Sequence, residues 1–136
     1  MDRKKPSLIV LIFWYWLPVV LWMGTLFYLS SRSRFKVSDE FSINFAFFKT
    51  IHMLVYAGLF FVIFRALFRT FPNKSIMKLF IWAIVISVLY AISDEIHQTF
   101  TPHREGTPRD VFIDSIGISL MFGYTKKYLS KLRFLL

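Results

Sequence analysis

The side chains able to do chemistry in this chain fall in three stretches. Lys49, His52 and Tyr56 recur at i, i+3 and i+7, Asp94, Glu95, His97 and Gln98 come next, and Arg104, Arg109, Asp110 and Asp114 close the series. At about 100° per helical residue the first trio shares a stripe with Met53 and Phe60. Ser87, Ala91, Asp94, Glu95 and Gln98 fall on one face of a second helix, with Val85, Leu89, Ile92 and Ile96 opposite. Asp110, Asp114, Gly117 and Met121 line a third stripe, where Gly117 lets another helix come close. Carboxylates beside imidazoles are the groups of acid and base catalysis, so Glu95, Asp94 and His52 are the catalytic candidates. The same groups together with Lys49, Arg104 and Arg109 suit a phosphate headgroup, because a guanidinium pairs with phosphate or carboxylate alike. His52, Asp94, Glu95, His97, Asp110 and Asp114 are metal-ligating types. No compact motif such as His-Glu-x-x-His joins them, so the spacing assigns no metal and no cofactor.

The elements that must position these groups are apolar. The 136 residues are 56% hydrophobic and 20% aromatic with only 18% charged. That composition excludes disorder, a disulfide scaffold and an ordinary soluble enzyme. Cysteine is absent, which leaves redox compartment unread. Residues 8–29 run without a charge, and at about 1.5 Å per residue they span a hydrocarbon core of roughly 30 Å. A signal peptide is the competing reading, but the run is too long and no small-residue cleavage pattern follows it. Pro18 is expected to kink this helix. Further runs cover about 49–68, 76–100 and 109–129. The last is the weakest, since Asp114 and Ser115 interrupt it and Lys126 and Lys127 must snorkel to complete it. The turn Phe71-Pro72-Asn73 makes the second and third runs antiparallel neighbours. Residues 30–48 form the longest loop, in which Phe41, Phe45 and Phe48 keep helical spacing. A short interfacial helix and a loop tucked onto the core are both open there. No repeat or linker divides residues 1–136. The expected fold is an all-α, integral membrane four-helix bundle in a single domain.

Charge supplies an orientation. The formal charge is +9, but the basic residues punctuate apolar runs, which points to a membrane surface and not to nucleic acid. The N-terminal tail, the link between the second and third runs with its flanks, and the C-terminal tail hold eleven of the 17 Lys and Arg residues. The positive-inside rule therefore makes both termini cytoplasmic. Every acid except Asp2 then belongs to the outer side or to outer helix ends, and carboxylate chemistry belongs outside the cytoplasm.

The motifs also carry a resemblance. Ser30-Ser31 follows the first run, Lys49-x-x-His52-x-x-x-Tyr56 opens the second, Asp94-Glu95-Ile96-His97-Gln98-x-Phe100-x-Pro102-x-Arg104 ends the third, and Thr107-x-x-Asp110-x-x-x-Asp114-x-x-Gly117 opens the fourth. This order resembles the VanZ-like family of small bacterial membrane proteins over most of the chain. The stretch from Glu95 to Arg104, followed at the right distance by Asp and Gly, is its specific part. The resemblance implies a multi-pass cell-membrane protein and a link, through the name-giving member, to resistance to the glycopeptide antibiotic teicoplanin.

Three functional readings follow. The first is a site at the outer face for the headgroup of a membrane lipid or lipid-linked cell-wall precursor, built from Lys49, His52, Tyr56, Asp94, Glu95, Gln98, Arg104, Asp110 and Asp114, with Arg109 beside them. The second is an enzyme acting on such a lipid, with Glu95 as acid or base. The third is a structural network in which Lys49 pairs with Glu95 or Asp94 and Arg104 with Asp110. Burying carboxylates is a costly way to pack helices that small residues can pack, which counts against the third. A transporter or channel would need an oligomer, for which the sequence shows no interface.

Overall fold

A computed structural model describes residues 6–32, 39–102, 104, 106–132 and 135–136. Every regular element among them is helical. Helix α1 spans Leu8–Ser30, α2 Phe41–Thr70 and α3 Ile76–Thr99, and these three are long and apolar enough to cross a membrane. Helix α4, Pro108–Lys127, is followed by the single turn α5, Leu129–Leu132. The fourth expected span thus exists as a helix, but its acids and terminal lysines keep it out of the apolar set. Leu21, Leu54, Leu89 and Leu120 are more than half exposed, as lipid-facing side chains would be.

Start signals are local. Ser75 Oγ accepts from the Lys78 N–H to cap α3, and Thr107 Oγ1 accepts from the Asp110 N–H to cap α4, with Pro108 in the first helical position. The second span is longer than its apolar run of 49–68. Phe41, Phe45 and Phe48 belong to neither a loop nor a separate interfacial helix; they lie on the first turns of α2. At about 1.5 Å per residue that helix is some 45 Å long and overshoots a 30 Å core. A core of that thickness counted back from the Phe71–Ser75 turn would end near Lys49.

Pro18 acts on α1 in a specific way. Lacking an N–H, it cannot bond the carbonyl of Trp14, four residues earlier, and residues Leu11–Trp16 are wound as a π-helix. The freed carbonyl accepts from Arg65 Nη1 of α2 at 2.8 Å, while Arg65 Nε donates to the Leu135 carbonyl at 2.6 Å. One guanidinium therefore ties α1, α2 and the last residues together.

Helix α2 is the hub, packing on α4, α3 and α1. Its half toward the Phe71–Ser75 turn is a dry aromatic core: Phe64 and Phe80 stack at 4.2 Å, and Phe122 meets Phe80 edge-on at 5.1 Å. Its other half carries the polar groups.

Candidate functional site

Three helices bring the polar stripes face to face. Asp94, Glu95, Gln98, Lys49, Asp110 and Asp114 are all buried, whereas Val85, Leu89, Ile92 and Ile96 point outward. On α3 the division follows the expected faces. Close approach makes the convergence possible. A Cβ on Gly117 would fall on the Met53 carbonyl of α2, and one on Gly106 would fall on the Glu95 carbonyl of α3.

Each acid has different company. Asp94 Oδ2 accepts from the Tyr56 hydroxyl and from Gln98 Nε2, both at 3.1 Å. Glu95 Oε1 accepts from Gln98 Nε2 at 3.3 Å, and Oε2 accepts from the Thr107 N–H at 3.0 Å. The Glu95 carboxylate thus sits on the N-terminus of α4, where unbonded N–H groups and the helix dipole favour an anion. Asp110 Oδ1 is 2.5 Å from Lys49 Nζ and 3.6 Å from Arg109 Nε. Among the described residues Asp114 has only His52, whose Nδ1 lies 3.5 Å from Oδ1, too far for a made hydrogen bond. Among the described residues, Asp94 Oδ1 and both Asp114 oxygens are buried without a hydrogen-bond partner.

The cationic partners differ from the expected pairs. Lys49 meets Asp110, not Glu95 or Asp94. Arg104 turns away from Asp110 and donates Nη1 to Gln98 Oε1 at 3.2 Å, Nε to the Arg32 carbonyl at 2.9 Å and Nη2 to the Leu29 carbonyl at 3.0 Å. It ties the end of α1 to Gln98. Arg109 keeps a largely exposed side chain, with its guanidinium over the Phe45 ring at 5.0 Å. His97 leaves the cluster altogether, stacking on Phe27 and sharing a 2.9 Å hydrogen bond with Ser31 Oγ. His103 and Glu105 lie outside the described residues.

A groove of ≈ 390 Å³ opens on the side between α3 and α4. Ile92, Ile96 and Val111 make it apolar, and Glu95, Gly106 and Thr107 form its polar end.

The VanZ/LLP1 family profile matches residues 8–129. The chain belongs to the VanZ/LLP1 family. No curated protein and no solved structure matches it. In this VanZ/LLP1 chain, residues 49–56 inside α2, the end of α3 and the start of α4 supply the buried polar groups of the cluster. Sequence reasoning gave two participants no role in the site. Thr107 acts through a backbone N–H, which leaves no trace in residue type. Gly106 could have been suspected from its place between the end of α3 and the Thr-Pro that opens α4.

Proposed function

We propose that the protein is a multi-pass cell-membrane protein that binds the headgroup of a lipid-linked envelope molecule at a site on its outer face. The observation that carries this reading is an apolar groove between α3 and α4 that ends at Glu95, with partnerless carboxylate oxygens behind it. A purely structural network would satisfy its buried acceptors. A lipid chain suits Ile92, Ile96 and Val111, while hydroxyl or ammonium donors of a headgroup suit Glu95 at the polar end of the groove. Lys49 and the exposed Arg109 are the groups available to a phosphate. Such a protein would alter the exposure of a cell-wall precursor, and a role in glycopeptide susceptibility follows from that. The same reading has α4 crossing as a fourth span, with its charged residues turned to α2 and α3 or kept at its ends.

Native mass spectrometry of the purified protein tests it. A lipid is expected to stay bound to the unaltered chain and to be depleted by Glu95→Gln combined with Arg109→Ala. Protein that carries no lipid, or retains it equally in the double variant, would sink the proposal.

A further inference from the structure

The geometry points to a divalent transition-cation site, of the kind zinc occupies, formed by His52 of α2, Glu95 of α3 and Asp114 of α4. Each offers one ligand atom, and the three atoms lie within 4.8 Å of one another. The His52 Nδ1 to Asp114 Oδ1 separation of 3.5 Å is close to the edge of about 3.4 Å that a tetrahedral ion with ligand bonds of 2.0–2.2 Å imposes on two ligands. It is also too long for the hydrogen bond that would otherwise explain the pair.

The second observation is the state of Asp114. Its side chain is 0% exposed, yet neither oxygen has a hydrogen-bond partner, and His52 Nδ1 is likewise buried without one. Lys49 answers Asp110, and Tyr56 and Gln98 answer Asp94. Within the cluster, Asp94, Glu95 and Asp114 have no Lys or Arg partner among the described residues; Asp94 is met by two neutral donors, and one divalent ion would neutralise the other two. Glu95 can ligate while keeping its bonds to Gln98 and Thr107, because each carboxylate oxygen has two lone pairs. Those two bonds then orient the ligand. An imidazole nitrogen beside two carboxylates favours zinc or manganese over magnesium, which takes oxygen and water. The ligands come from three helices, so no linear motif reveals them. The site shares residues with the proposed headgroup site but stands without that reading.

The test uses the full chain in detergent, stripped with chelator and then dialysed against zinc. One ion per chain by elemental analysis and a saturable rise in Tm are expected, with cobalt giving the visible bands of a four-coordinate ion. His52→Gln and Asp114→Asn should each weaken uptake about tenfold or more, and Asp39→Asn, outside the trio, should not. Should Asp114→Asn fail to fold, His52→Gln at the edge of the cluster decides. Absence of uptake by the unaltered chain, or uptake undiminished in His52→Gln, overturns the proposal. Because the readout is bound metal and not retained lipid, that failure leaves the headgroup reading to its own test.

Discussion

At the scale of single residues, the cluster is held by groups whose value depends on burial. Tyr56 is 0% exposed, and its hydroxyl is one of two donors on Asp94 Oδ2. Removing it leaves a buried carboxylate short of a donor, at a cost of about 1–3 kcal/mol. Tyr56→Phe should therefore lower Tm in detergent, whereas the same change at the exposed Tyr124 should not. An unchanged Tm in Tyr56→Phe would mean that water reaches Asp94. Residue type alone indicated most of these groups, since polar side chains on stripes inside apolar runs must face protein or water. It did not indicate their partners. Lys49 pairs with Asp110 because the first turn of α4 comes to lie beside the second turn and a half of α2, a neighbourhood set by three-dimensional packing. Arg104 meets backbone carbonyls, which every residue has and no motif displays.

Among the elements, the contact between α2 and α4 matters most to the site, because it brings His52 to Asp114. Gly117 is a point of close approach, against the Met53 backbone, which cannot swing aside as a side chain can. Gly117→Leu must push the helices apart, and overpacking of this kind costs about 1–3 kcal/mol or more. A marked loss of Tm is expected. Gly123 lies on the same helix with open space around it, and Gly123→Ala should be neutral or raise stability by about 0.5–1 kcal/mol through helix propensity. Equal losses in the two variants would show that propensity, not approach, governs α4. Helix α2 illustrates where periodicity misleads. Its first turns carry Phe41, Ile43 and Phe47 exposed among polar residues, so no contrast in hydropathy marks where the loop ends and the helix begins.

The whole molecule divides into an aromatic half near the Phe71–Ser75 turn and a polar half at the opposite end of α2. With the cytoplasmic side at that turn, the basic residues Arg65, Arg69, Lys74 and Lys78 lie at the inner headgroups and the carboxylates near the outer boundary. A C-terminal tag should then be reached by an impermeant reagent only after cells are opened, and labelling of intact cells would reverse the orientation and move the site to the cytoplasm. Composition, apolar run length and the placement of charge depend only on the chain's exchange with lipid and water, so they determined from sequence alone that this is an all-helical chain with membrane-length helices, and they marked which faces turn inward. The longer α2, the pairing of Lys49 with Asp110, the freed Trp14 carbonyl bound by Arg65 and the meeting of His52, Glu95 and Asp114 were decided by tertiary structure. The last three depend on groups brought together from helices far apart in the chain, with Gly106 and Gly117 permitting close approach of backbones and Pro18 freeing the Trp14 carbonyl.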